Sequence, residues 1–243
     1  MTTKVALVIG AGDATGSAVA RRFAREGFVA CVVRRKGELL QPLVDEIMAA
    51  GGVAHAFGVD ARREDQMVDL FDRIERDIGP IEVCVHNVGG NVKFSILDAE
   101  LTGKKFFKIW EMACFSGFLS GREAARRMAP RGRGTILFTG ATASVRGGAG
   151  FSGFAAGKAG LRMLAQSLAR ELGPKNIHVA HIIVDGAIDT PALPTRSPER
   201  YALKDQDGIL NPDHIADNYW HLHAQPRDSW SFELDLRPWM EKW

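Results

Sequence analysis

Residues 4–35 constrain this chain more than any other stretch. Val5 to Ile9 is a short apolar run rich in β-branched residues, with the length and composition of a buried strand. Gly10, Gly12 and Gly16 then break the run within Gly10-Ala11-Gly12-Asp13-Ala14-Thr15-Gly16. From Ser17, apolar residues recur at Val19, Ala20, Phe23 and Ala24, the repeat of a helix that buries one face. A second apolar run, Phe28 to Val33, ends on Arg34 and Arg35. This order predicts one β-α-β unit. Its first turn is built to bring backbone N–H groups at a helix N-terminus against an anion, because glycine lets the main chain approach closely. That arrangement holds a dinucleotide pyrophosphate. A tight turn with no ligand is the plainer alternative, but strands on both sides of the motif favour the dinucleotide.

The end of the second strand selects the coenzyme. An acidic residue there accepts from the ribose 2′-hydroxyl of NAD. This chain has Arg34, Arg35 and Lys36 instead, and a guanidinium grips a phosphate in bidentate fashion. The expectation is NADP(H) in preference to NAD(H). Asp13 opposes it, as a carboxylate near the phosphate.

The remaining chain alternates strand and helix patterns with no linker. Helices are expected over 38–50, 66–78, 104–128 and 154–172, with another from about Pro212. Strands are expected over 53–59, 81–86, 135–139, 178–184 and 232–236. The alternation predicts a single α/β domain over residues 1–243, a Rossmann-like doubly wound parallel sheet of about seven strands in three layers. A net charge of +2 argues against nucleic acid or an anionic membrane as partner. No apolar run is as long as a membrane span, and the N-terminus lacks a signal-peptide pattern. Cys31, Cys84 and Cys114 are few, odd in number and widely spaced, which suits buried thiols in a reducing cytoplasm. His221 and His223 stand two apart and diverge on a helix, so no metal site is expected.

Gly10, Ala14 and Gly16 resemble the Gly-x-x-x-Gly-x-Gly turn of the short-chain dehydrogenase/reductase family, with alanine at the middle glycine and Thr15 inside the turn. His86-Asn87-Val88-Gly89 resembles the family's Asn-Asn-Ala-Gly, matching at Asn87 and Gly89. Asp185-Gly186-Ala187-Ile188-Asp189-Thr190 resembles Pro-Gly-x-(Ile/Val)-x-Thr, with Asp185 in place of proline. The resemblance runs through about Thr190. It implies a nicotinamide coenzyme held by the glycine turn, by Asp60 and Ala61 beside the adenine, by Asn87 and Gly89, and by Gly186, Ile188 and Thr190. A helix N-cap is an equally good reading of Asp60. The resemblance also makes residues 191–211 a lid over the substrate. The long fourth and the following helix would be contact surfaces of a homo-oligomer, dimer or tetramer; the alternative for the small-residue face Gly153, Ala156, Gly157 and Gly160 is close packing within one chain. Four of five tryptophans lie beyond position 219, so the tail is expected on a pocket rim or a partner.

The family's chemistry uses Tyr-x-x-x-Lys on one helix face, a serine thirteen places before the tyrosine, and an asparagine on the long helix. Lys158 matches the lysine, but Phe154, Ala141 and Cys114 occupy the other three positions. A positioned acid or base is worth roughly 10²–10⁴ in rate, about 3–5 kcal/mol, and a phenyl ring supplies none of it. Thr142, Ser144 and Ser152 are the hydroxyls near enough in sequence to substitute, with Lys158 through a water as the base for Thr142. Cys114 as a nucleophile is the weaker alternative. Ala141, Phe154, Val92 and the lid would line a pocket for a small hydrophobic ligand. Three readings follow: an NADP(H)-dependent oxidoreductase with a reworked acid/base group, a non-catalytic NADP(H)-binding sensor or interaction partner, and an enzyme that leaves the nicotinamide unchanged.

Overall fold

The computed structural model describes residues 3–242. Trp243, one of the tail tryptophans, lies outside them. Seven parallel strands form one sheet in the order β3-β2-β1-β4-β5-β6-β7: β1 (Val5–Ile9), β2 (Val29–Arg34), β3 (Val53–Gly58), β4 (Ile81–His86), β5 (Gly134–Thr139), β6 (Ile177–Val184) and β7 (Glu233–Leu236). Side chains alternate across the sheet because the strand repeat is two. Ala6 and Val8 of β1 therefore pack on one face, under α1 (Thr15–Arg25), α2 (Gln41–Ala49) and α9 (Pro212–Ala224). Leu7 and Ile9 pack on the other, under α3 (Glu64–Asp77), α5 (Ser116–Met128) and α6 (Ser152–Leu172). The result is the expected three-layered α/β fold. Its strand order reverses between β1 and β4, and such a switch point opens a crevice at the carboxyl ends of the strands.

Several expected elements differ in detail. The helix over 38–50 begins as a 3₁₀ turn, Gly37–Leu40, and Pro42 sits in the first turn of α2, where its missing N–H leaves no hydrogen bond unmade. The strand over 53–59 ends at Gly58. The long helix over 104–128 runs as α4 (Gly103–Trp110), a π-helical turn (Glu111–Phe115) and α5. Cys114 lies in that turn. Residues 191–211 hold two short helices, α7 (Leu193–Arg196) and α8 (Pro198–Tyr201), then a 3₁₀ turn, Lys204–Gln206.

Candidate active site

The loops after β1 and β4 meet over the crevice. Gly10 has φ +92°, and a Cβ there would lie 2.6 Å from the Asn87 carbonyl oxygen. A Cβ on Gly16 would lie 2.3 Å from the Gly10 carbonyl oxygen. Neither position admits a side chain. Asn87 locks the two loops together: its side-chain amide donates to the Gly10 carbonyl at 2.9 Å and its main-chain N–H to the Ile9 carbonyl at 2.8 Å. Helix α1 starts at Thr15 behind Ala14, which has no side chain to cap it. Its first N–H groups have no acceptor within the helix. Thr15 is 6% exposed, and its buried hydroxyl has no partner.

A cavity of about 990 Å³ opens above these loops. Gly10, Gly12, Ala14, Thr15, Gly16, Arg34, Arg35, Asp60, Ala61, Asn87, Gly89, Lys158, Gly186 and Ile188 all line it, as do Ala141, Thr142 and Phe154. Thr190 does not. It lines a smaller neighbouring pocket with Pro191 and Tyr201, and beside it the Asp189 N–H donates to the Leu210 carbonyl. Val92 packs in a side cluster with Phe94 and Phe151, and Asn91 and Met112 line the cavity instead. From residues 191–211, Arg200 alone lines it.

Charge in the cavity is unbalanced. Arg34, Arg35, Lys36, Arg62, Arg146, Lys158 and Arg200 face three carboxylates, Asp13, Asp60 and Glu241. Asp13 does not stand unpaired near the rim: it forms an ion pair with Arg34 at 3.2 Å. Asp60 accepts from Arg62 through both carboxylate oxygens, and this pairing holds its carboxyl below the usual range. Asp60 also accepts from the Arg62 main-chain N–H, a local turn. It is not the helix cap; Arg63 occupies the N-cap of α3.

At the opposite end, α6 presents Phe154, 8% exposed, within an apolar cluster with Ile109, Ala113 and Ala143. One turn on, Lys158 is 3% exposed and donates to the carbonyls of Thr139 at 2.7 Å and Val88 at 3.2 Å. Burial pulls its pKa down to about 8. No tyrosine lines the cavity among the described residues. Tyr219 is buried on the α1 and α9 face and shares a 2.6 Å hydrogen bond with the Thr139 hydroxyl, while Tyr201 lines the smaller pocket. His86 is a buried brace between the Ser120 and Ser116 hydroxyls, pushed down to about 3 by burial. Cys114 is buried against Gly160 and does not line the cavity, and burial raises its thiol, which disfavours the thiolate form.

The Thr142 partner differs from the expected one. Its hydroxyl donates to the Asp185 carboxylate, not towards Lys158. Asp185 directly follows β6, is 1% exposed, and also faces Arg146 at 3.3 Å and Arg237 at 3.8 Å. Ser144 is buried and accepts from the Ala141 N–H at 3.1 Å. Neither it nor Ser152 lines the cavity. Arg62, Arg146, Arg200 and Glu241 carried no local sequence signal. The only hint of Asp185 was its place in a motif that usually has proline.

The tail closes this end. Pro238 packs on Gly186, the Trp239 indole donates to the Gln206 carbonyl at 3.0 Å, and Arg146 donates to the Lys242 carbonyl at 3.1 Å. The small-residue face of α6 is used within the chain: Gly153 meets Ile109, Gly157 meets Ala113 and Gly160 meets Cys114, whereas Ala156 is exposed.

Residues 4–200 match the family described as short chain dehydrogenase. Zerumbone synthase of Zingiber zerumbet is 32% identical over 208 residues, 83% of this chain and 76% of that protein. The 7alpha-hydroxysteroid dehydrogenase of Escherichia coli is 30% identical over 190 residues, 78% and 73%. Among solved structures, a short-chain dehydrogenase from Rhodopseudomonas palustris is 48% identical, covering 98% of this chain and 99% of that one, with a TM-score of 0.83. A metagenomic short-chain oxidoreductase in complex with NADP is 25% identical over 98% of each chain, with a TM-score of 0.82. The glycine turn, the Asn87 lock, the strand order and these likenesses lead to one conclusion: the chain belongs to the short-chain dehydrogenase family, whose members are oxidoreductases that bind a nicotinamide coenzyme.

Proposed function

We propose that this protein is an NADP(H)-preferring oxidoreductase for a small, largely hydrophobic alcohol or carbonyl, with an acid/base site that has no phenol. The carrying observation is the cation-rich cavity over an uncapped helix N-terminus. The coenzyme fits these residues on two counts: the buried Thr15 hydroxyl lacks a partner, and Gly12 has open space within 4 Å where a Cβ would stand. Gly10, Gly12, Ala14, Thr15 and Gly16 would hold the pyrophosphate, Asp60 and Ala61 the adenosine, and Arg34 and Arg35 a 2′-phosphate. Asn87, Gly89, Lys158, Gly186 and Ile188 would flank the nicotinamide end, with Thr190 at its margin. When bound, the nicotinamide gives or takes hydride. The chain's own residues exclude water, orient the ribose through Lys158 and move the proton through Thr142. Apolar walls at Met112, Ala141, Phe151 and Phe154 favour a hydrophobic substrate.

The chain works as one domain, with 191–211 as its lid. We place it in the cytoplasm; its three cysteines are buried and free, and no helix among the described residues is long and apolar enough to cross a membrane. A homo-oligomer through α4 and α5 is favoured by the aromatic row Phe107, Trp110, Phe115 and Phe118, whose end members are exposed. One observation favours a second reading, a coenzyme-binding homologue without turnover: an apolar ring occupies the phenol position. Titration with NADPH and NADH, followed by turnover assays on a carbonyl panel, separates the two. Tight NADPH binding with no oxidation across the panel supports the second reading, and failure to bind either coenzyme refutes both.

A further inference from the structure

Among the described residues, three lining the cavity carry a hydroxyl: Thr15, Thr139 and Thr142. Thr15 lies in the glycine turn. The Thr139 hydroxyl is committed to Tyr219 across the sheet. Thr142 remains, next to Ala141 and on the same wall as Phe154. It donates its one proton to Asp185 Oδ1, so its oxygen lone pairs are available to accept a proton. Asp185 does not itself line the cavity and stands behind Thr142. Among the described residues, the charged groups paired with it are cationic: Arg146 reaches both carboxylate oxygens at 3.3 Å, and Arg237 lies at 3.8 Å. Arg146 also lies 3.9 Å from Glu241, and Arg237 also pairs with Asp235.

Resting on the oxidoreductase reading, we propose that Thr142 and Asp185 form a two-step proton relay that takes the place of the missing phenol. Thr142 is the catalytic residue, and Asp185 is a positioning residue and proton acceptor acting through it. In alcohol oxidation the substrate O–H bond breaks and its proton joins Thr142 Oγ1. The proton already on Thr142 passes to Asp185 and converts the carboxylate to the acid. The carbinol C–H bond breaks, its electron pair leaves as hydride to the oxidised nicotinamide, and a carbonyl forms. The Asp185 proton then returns through Thr142 to water once product leaves. Carbonyl reduction runs the same steps backwards. Lys158 stays outside the relay, its ammonium tied to two main-chain carbonyls.

The test uses the full chain, NADPH and 9,10-phenanthrenequinone, a flat apolar diketone. Reduced-nicotinamide absorbance reports kcat, and NADPH fluorescence reports coenzyme affinity independently of turnover. Thr142→Val keeps size and charge, so it tests the idea even where Asp185→Asn fails to fold. We expect Thr142→Val and Asp185→Asn each to lower kcat by about 10²-fold or more, and the double variant to lose no more than either alone, since the two act as a unit. Thr142→Ser restores kcat to within a few-fold, Ser152→Ala is unchanged, and NADPH affinity is the same throughout. Thr142→Val turning over at the wild-type rate, or losses that multiply in the double variant, overturns the relay alone. A wild-type protein that binds NADPH and never oxidises it with the quinone overturns the relay and the redox reading together.

Discussion

Replacing Arg35 with alanine tests the proposed preference for NADP(H). Arg34 and Arg35 both line the cavity, but they are not equivalent. Arg34 is tied to Asp13 at 3.2 Å, on a side chain about a quarter exposed against one largely exposed. A 2′-phosphate must compete with that carboxylate for Arg34, and no such pair holds Arg35 among the described residues. A hydrogen bond to a charged group contributes about 1.5–3 kcal/mol. The rim is open to water, so solvent screening brings the expectation to about 1–2 kcal/mol, roughly 5–30-fold in Kd. Arg35→Ala should therefore weaken NADPH by that factor and leave NADH unchanged. Asp13→Asn frees Arg34 from an exposed ion pair worth about 0.2–1 kcal/mol, and should tighten NADPH by up to roughly 5-fold. Both affinities are read by nicotinamide fluorescence at low salt, and the NADPH advantage should shrink as salt shortens the Debye length from about 10 Å at 0.1 M. Equal weakening of both coenzymes by Arg35→Ala, or a wild type that binds NADH more tightly, refutes the argument.

Other expectations concern the glycine turn, the phenol position and the buried lysine. Gly16→Ala puts a Cβ 2.3 Å from a main-chain oxygen; overpacking of this kind costs about 1–3 kcal/mol, so urea denaturation should show that loss together with weaker NADPH binding. Phe154→Tyr with Ala141→Ser returns a phenol one helical turn from Lys158, and kcat for carbonyl reduction should rise by about 10²-fold; an unchanged rate means that the wall at Phe154 does not face the reacting atoms. Lys158 titrates near 8 in the fold against 10.5 ordinarily. Both states carry the charge below pH 8, and the penalty of burying it is present in full there. Between pH 8 and 10.5 the unfolded chain holds the proton that the fold has released, so wild-type stability should rise relative to Lys158→Met by about 1.4 kcal/mol per pH unit. Parallel pH profiles of the two proteins in urea would contradict the buried, charged lysine.

The fold was legible because its signals are local. Apolar runs of strand length, a 3.6-residue repeat and glycines at the first crossover each report on a few neighbouring residues, and an alternating series of them leaves few topologies. One wall of the cavity was legible for the same reason: Gly10, Gly16 and Asn87 sit at strand ends, where the sheet must place them together. The pairings of Asp13 with Arg34 and of Asp60 with Arg62 were not legible, because the direction of each guanidinium is a packing outcome. That Thr190 lines the smaller neighbouring pocket was not legible for a similar reason.

From the order of residues alone follow the β-α-β crossover, the doubly wound sheet, the arginines at the second strand end, and the absence of tyrosine and serine where Phe154 and Ala141 stand. What holds the Thr142 hydroxyl does not. Asp185 lies 43 residues from it and Arg146 lies 39 residues from Asp185, and no periodicity links them. Only closing the sheet brings the ends of β5 and β6 side by side and folds the tail over them. A buried carboxylate must then find donors in that space, and the tertiary structure decided which ones.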